Sequence, residues 1–183
     1  MANRVPASKI VEHSDMKTLL ILRHAKSSWK DDQLADHDRP LNKRGKRDAP
    51  RMGKLLRDQG LVPELIISST AKRARKTAAK VAKECGYESV IELAGELYQS
   101  SVIQYVHVLR SVPAHVQCVM IVGHNPEAAA LLAQLTGCET RLPTGALAHV
   151  TLDVEGWKHM AEQERGELVR VYRPKELRDF SAT

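Results

Sequence analysis

A single three-layer α/β/α domain with a mainly parallel central sheet is the fold class that this 183-residue sequence predicts. Three observations carry that expectation. Short apolar runs of strand length alternate with longer amphipathic stretches of helix length. One run, QCVMIVG at 117–123, is apolar without alternation, as a strand covered on both faces must be. The chain is also long enough for one well-buried core and too short for two typical domains.

Taken in order, residues 1–15 are polar and patternless and are expected to form a flexible N-terminal tail before a single domain over 16–183. Residues 17–22 form a short apolar strand. Residues 42–59 set Met52, Leu55 and Leu56 on one face of a helix, with Gly60 after it. Pro50 inside that pattern predicts a kink or a late start. ELIISS at 64–69 is a second strand. Residues 70–85 are a helix with Thr70 as its cap and Gly86 as its stop. SVIEL at 89–93 is a third strand, and 101–111 are helical. The buried run at 117–123 leads into a helix at 125–137, with Asn125 as cap and Pro126 at its first position. Residues 146–154 and 166–174 read as two final strands, with a turn near Glu155 and Gly156.

Composition narrows the function. Hydrophobic residues make up 43% and charged residues 27%, the ordinary globular range. The formal net charge of +6 fits an anionic substrate or partner, and it equally fits a solvated basic surface. Aromatic residues are only 4%, which leaves little for base stacking, and no nucleic-acid motif is present, so a nucleic-acid partner is not expected. The three cysteines, Cys85, Cys118 and Cys138, are odd in number and lack CxxC spacing. A cytoplasmic, reducing setting is therefore expected, without disulfides or a zinc site, and Cys118 is expected in the core. The N-terminus lacks an apolar signal region and no apolar run approaches 18 residues, so neither secretion nor a membrane span is expected.

In open α/β sheets ligands bind beyond the carboxyl ends of the strands. Arg23 and His24 follow the first strand. Ser68 and Ser69 end the second, with Arg73 in the first turn of the next helix. Gly123 and His124 end the buried run, with Asn125 and Pro126 opening the helix after it. Three strand ends would bring two arginines, two histidines and two helix N-termini to one edge. Helix N-termini favour anions, and the arginine fork matches phosphate oxygens, so the convergence describes a phosphate pocket. A neutral imidazole nitrogen can attack phosphorus, and fixed cations can stabilise the charge that spreads over the phosphoryl oxygens. No HExxH, acidic ligand cluster or P-loop occurs, so no metal or other cofactor is expected.

LRHAKSSW, DRPLNKRGKRDAP, SSTAKRARKTA, VGHNPEAAALLAQLTG and PTGALA, spread over residues 17–174, together resemble the histidine phosphatase superfamily. This is the phosphoglycerate mutase-like group with the RHG signature, and the chain is most similar to its SixA-type phosphohistidine phosphatase branch, where RHA often replaces RHG. The resemblance implies a phosphoglycerate mutase-like fold and a phosphatase. It implies His24 as the phosphorylated nucleophile, Arg23 and Arg73 as ligands of the phosphoryl oxygens, and His124 as a donor to the transferring group. Arg39 matches a branch motif and carries a possible substrate-side role. Lys26, Ser27 and Asn125 stand beside the two histidines in sequence and are further candidate substrate contacts. Thr144 fits a turn or support residue.

Two departures from the superfamily pattern matter. Members that cleave esters often carry an acid a few positions beyond the LxxEL segment, to protonate the departing oxygen. Residues 97–126 here contain no Asp or Glu, which leaves Glu96, Asp36 and Asp38 as the acids able to approach. The second departure is NPEAAA after GH, where relatives often have Gly and then acidic residues; it bears on partner contacts through that helix and leaves His124 unaffected. The expected partner is a phosphorylated protein or a small phosphorylated substrate. The leading reading is a metal-independent phosphatase for protein phosphohistidine. The alternatives are a phosphomonoesterase for a small metabolite and a non-catalytic phosphate- or nucleic-acid-binding module. The oligomeric state is left open.

Overall fold

Strand β1 (Met16–Arg23) sets the architecture, because its Leu19, Leu20, Ile21 and Leu22 are all wholly buried. Successive strand side chains point to opposite faces, so four buried residues in a row require an apolar layer on each side of the sheet. The computed structural model describes residues 16–160 and 166–177 and contains both layers. Leu20 and Leu22 pack with Met52 and Leu56 of α1 (Lys43–Asp58) and with Ala74 and Val81 of α2 (Lys72–Cys85). Leu19 and Ile21 pack on the other side with Leu109 of α3 (Val102–Arg110) and Leu132 of α4 (Glu127–Thr136).

The other strands are β2 (Leu65–Ser69), β3 (Glu92–Ala94), β4 (Cys118–Gly123), β5 (Leu147–Asp153) and β6 (Gly166–Tyr172). Among the described residues they form one six-stranded sheet in the order β3-β2-β4-β1-β5-β6. β1 pairs in parallel with β4, and β2 in parallel with β4 and β3. β5 runs antiparallel to β1, and β6 antiparallel to β5. The expected mainly parallel α/β/α domain is what forms. No helix among the described residues is long and apolar enough to cross a membrane.

Several boundaries differ from the sequence reading, each for a local reason. α1 neither starts late nor breaks at Pro50. The Asn42 side chain caps it by accepting from the Gly45 N–H at 2.9 Å, and the helix runs through Pro50 with Ala49 and Met52 buried on either side. Thr70 does not cap α2, whose cap residue is Ala71; the Thr70 hydroxyl contacts His37 Nε2 at 3.1 Å instead. Gly86 does stop α2, with φ of 81°. Asn125 does not cap α4, which begins after Pro126; its amide donates to the Leu142 carbonyl at 3.1 Å. The third strand is only three residues long, because Ile91 and the residues before it lie outside the ladder. The last two strands are not joined by a tight turn at Glu155 and Gly156. A 3-10 turn at Trp157–His159 intervenes, with Trp157 fully buried and its indole N–H bonded to the Val116 carbonyl. Cys118 is half-buried at the start of β4, and burial pushes its thiol up to about 12. The tail expected over residues 1–15 lies outside the described residues, as do 161–165 and 178–183 of the expected domain.

α1 bears directly on the loop after β1. The Asn42 N–H donates to the Lys26 carbonyl at 3.0 Å, and a Cβ added at Gly45 would overlap that same carbonyl oxygen. Glycine-to-alanine in a helix ordinarily gains about 0.5–1 kcal/mol. Here overpacking against backbone costs about 1–3 kcal/mol and outweighs it. Gly45→Ala is therefore expected to lower the thermal unfolding midpoint; a raised midpoint would show that α1 can retreat from Lys26 freely.

Candidate active site

The parallel pairing of β1 with β4 brings Arg23 beside Gly123, so the residues that follow, His24 and His124, emerge together. The His24 N–H donates to the Gly123 carbonyl at 3.0 Å. The two imidazole centroids are 4.9 Å apart. β2 ends at Ser69 on the far side of β4, and α2 returns Arg73 to the same edge. The sheet order thus assembles His24, Arg23, Arg73 and His124 from residues far apart in sequence.

The protonation of His24 follows from its neighbours. Nδ1 lies 2.8 Å from the Ala25 carbonyl, which can only accept, so Nδ1 carries the ring proton and Nε2 keeps its lone pair. Arg73 Nε donates toward that lone pair at 3.3 Å. Burial pushes the His24 pKa down to about 4; the Ala25 carbonyl opposes this, while Arg73 and Arg23 add to it. The ring is therefore neutral at pH 7, with an unprotonated nitrogen facing a guanidinium.

His124 is held at both ends. Its N–H donates to the buried Tyr105 hydroxyl at 3.0 Å, and Nε2 lies 2.8 Å from Ser69 Oγ. Burial, then His24 and Arg73, push its pKa down to about 3. Its Nδ1 is buried without a hydrogen-bond partner. So is Arg23 Nε, although Arg23 Nη1 donates to the Leu142 carbonyl at 2.8 Å. Asn125 Oδ1 is a third such atom. Buried polar groups are nearly always paired, so three unpartnered polar atoms on residues at the histidine end of the sheet set this region apart.

The remaining candidates are arranged differently. Ser27 is buried, and its hydroxyl accepts from Arg39 Nη2 at 3.4 Å. Arg39 is also buried, with Nε on the Ser28 carbonyl and Nη1 on Asp36 Oδ1, both at 3.0 Å. The Arg39 donors thus face the loop that carries them, the first sign of a supporting place rather than a substrate-side one. Lys26 is half-buried and gives its carbonyl to the start of α1. Thr144 accepts from Arg44 at 3.2 Å, and the adjoining Gly145 N–H bonds the His24 carbonyl at 3.0 Å, a supporting turn.

Of the three acids, Asp36 reaches the site. Its carboxylate accepts from Arg73 Nη2 at 2.9 Å, from the Tyr98 hydroxyl at 3.0 Å and from Arg39. Burial alone would raise its pKa, but the Arg73, Tyr98 and Arg39 hydrogen bonds prevail and hold it below the usual carboxylate range. Asp38 pairs with His37 at 3.6 Å, and Glu96 is exposed on the 3-10 turn at Gly95–Leu97.

Sequence reasoning missed the supports: Ser69, Thr77, Tyr98 and Tyr105. Thr77 had a signal, as the final residue of the SSxxxRAxxT pattern; its Oγ1 accepts from the Ala25 N–H at 3.0 Å and donates to the Arg73 carbonyl at 2.7 Å. Tyr98 sits edge-on to His124 at 5.5 Å, and no spacing in the sequence announces it. A separate cavity of 630 Å³ lies against α1 and is lined by Arg44, Arg47, Arg51, Arg173 and Lys175; neither histidine lines it. Among the described residues no group of three or more His, Cys, Asp or Glu is placed to hold a metal ion.

The model of the histidine phosphatase superfamily (branch 1) matches residues 19–95. An uncharacterised protein of Mycobacterium leprae is 33% identical over 84% of this chain and 100% of its own length. A protein of Nakamurella multipartitia assigned as phosphohistidine phosphatase SixA superposes with a TM-score of 0.77 at 27% identity, covering 87% of this chain and 96% of that one. The protein histidine phosphatase SixA complexed with tungstate gives a TM-score of 0.76 at 25% identity, covering 88% and 99%. The chain belongs to the histidine phosphatase superfamily and is a phosphatase. Within that superfamily it falls in the SixA-type branch.

Both histidines have folded pKa values below the ordinary 6.5, so the unfolded chain binds more protons between pH 6.5 and about 4. Stability is therefore expected to fall as pH drops through that window. Denaturant unfolding at stepped pH should show a shallower fall for His24→Asn,His124→Asn than for the unmodified chain. Equal slopes would mean that the rings are not buried neutral.

Proposed function

We propose that this chain removes phosphate from phosphohistidine in a protein, through a phosphoenzyme formed on His24 and without a metal ion. The observation that supports the substrate class is the state of Asp36. An alkyl ester needs a proton delivered to its departing oxygen, help worth ~10²–10⁴-fold. The carboxyl joined to Arg73 is held ionised by three donors, so it accepts hydrogen bonds and is a poor acid. Phosphohistidine needs little such help, because its P–N bond is labile and the departing ring can take a proton from water.

The neutral Nε2 of His24 attacks phosphorus, the P–N bond to the substrate ring breaks, and the ring leaves with the electron pair. Water then attacks the phosphoryl group, the bond to Nε2 breaks, and inorganic phosphate departs. Arg23 and Arg73 hold the phosphoryl oxygens as charge spreads over them, the part a metal ion plays in other phosphoryl-transfer sites. Ser69 Oγ accepts from the Ala71 N–H at 3.3 Å; its own proton directed at His124 Nε2 leaves the His124 proton on Nδ1, the atom with no partner within the protein. Asn125 Oδ1 and the Lys26 and Ser27 stretch border the substrate. Tungstate, bound in the SixA relative, is a tetrahedral oxyanion like phosphate.

With EDTA present, a phosphohistidine protein and p-nitrophenyl phosphate should both turn over, and phosphoserine should be slower by ~10²–10⁴-fold. Loss of turnover in EDTA that Mg²⁺ or Zn²⁺ restores would overturn the metal-independent reading. Phosphoserine cleaved as fast as phosphohistidine would move the small-ester reading ahead.

His24→Ala should abolish both turnover and any acid-labile phosphoenzyme trapped by rapid quench. Arg23→Ala, Arg73→Ala and His124→Ala should each slow turnover by about 10²-fold or more, the scale for losing one preorganised donor. Label accumulating on a different histidine of the His24→Ala protein would reassign the nucleophile.

A further inference from the structure

Trp29 lies five residues after His24 and is 74% exposed. An indole so open is normally mobile, yet this one is mounted. The Cζ atom of the buried Arg39 lies 3.0 Å from its ring centroid, a cation–π stack that covers one face and leaves the other to solvent. Arg39 cannot swing away, because its donors hold the Ser28 carbonyl, the Ser27 hydroxyl and Asp36. The base of the loop is closed by the Ser28 N–H on the Pro40 carbonyl at 2.8 Å and by the bridge between Ser27 and Leu41. Asp36 grips Arg73, and Arg73 donates to His24 Nε2. One chain of contacts therefore runs from the exposed indole to the reacting nitrogen.

The geometry points to Trp29 as the docking plate for the protein that carries the phosphohistidine. This inference rests on the phosphoprotein reading and deepens it by naming the partner surface: an apolar patch beside the phosphorylated histidine. The buried donors around His24 suffice for a phosphoryl group, and they leave the body of the substrate uncontacted. A rigid, exposed tryptophan backed by arginine is the composition that dominates protein interfaces, since its apolar area is covered on binding at little loss of side-chain freedom. Leu34, on the same loop, is a second exposed apolar side chain, and Lys26 and Lys30 flank the indole in sequence. The same mounting gives Arg39 its place, as the support that joins the plate to Asp36.

The test compares kcat and KM of Trp29→Ala and Trp29→Phe with those of the unmodified enzyme, on a phosphohistidine protein, free phosphohistidine and p-nitrophenyl phosphate. Truncating an interface anchor costs about tenfold or more in affinity. For Trp29→Ala, kcat/KM on the phosphoprotein should fall by about that factor, through KM, while both small substrates stay within about twofold. Trp29→Phe should recover part of the loss. An unmodified enzyme that ignores the phosphoprotein would overturn the proposed function, and the docking plate with it. An enzyme that cleaves the phosphoprotein while Trp29→Ala leaves it unchanged, or lowers all three substrates alike, would overturn the docking plate alone.

Discussion

The pairing of Arg23 with Gly123 is the constraint on which the site depends. Parallel neighbours place their carboxyl ends side by side, so one register decides that two histidines leave the sheet at the same point. A slip of one residue would turn Arg23 to the opposite face and break the bond from the His24 N–H to the Gly123 carbonyl. That register is enforced by burial. Leu19 to Leu22 and Val119 to Val122 are all inaccessible to water, and a one-residue slip would exchange the side chains of the two apolar layers. The apolar core, rather than any contact among the polar residues, brings the histidines together.

Once assembled, the site is governed by desolvation. Burial removes the charged forms of both imidazoles, leaving rings that are neutral at pH 7 beside two arginines, Arg23 and Arg73. The cost of burying Arg23 and Arg73 is offset by fixed acceptors: the Leu142 carbonyl for one, and Asp36 for the other. Asp36 is the pivot. It receives Arg73, Arg39 and Tyr98, and so links the loop after β1, the start of α2 and the segment after β3 into one network. The same bonds that orient Arg73 also keep the carboxyl ionised.

Sequence periodicity and spacing made the fold class legible, because strand and helix periods reflect burial that a linear pattern records. They also located His24, Arg23, Arg73 and His124, since residues just beyond buried strands must collect at one edge of a parallel sheet. Where reasoning went wrong, a side chain had a choice of partners. Asn125 and Thr70 are good caps by type, yet each is drawn to a tertiary partner, Leu142 and His37, that local sequence does not contain. Pro50 allowed a late start for α1, yet the helix begins at Lys43, capped by Asn42 and packed through Met52 and Leu56.

The sequence by itself determined the alternation of strands and helices, the buried central strands, and the cationic and titratable residues at their ends. Only the tertiary structure decided that Nε2 of His24 is the unprotonated nitrogen, that Asp36 accepts from Arg73, Arg39 and Tyr98, and that Arg39 carries Trp29. The physical reason is that apolar burial is additive and readable along the chain. A hydrogen bond depends instead on which donor and acceptor the fold brings within about 3 Å, and that is settled only when distant segments meet.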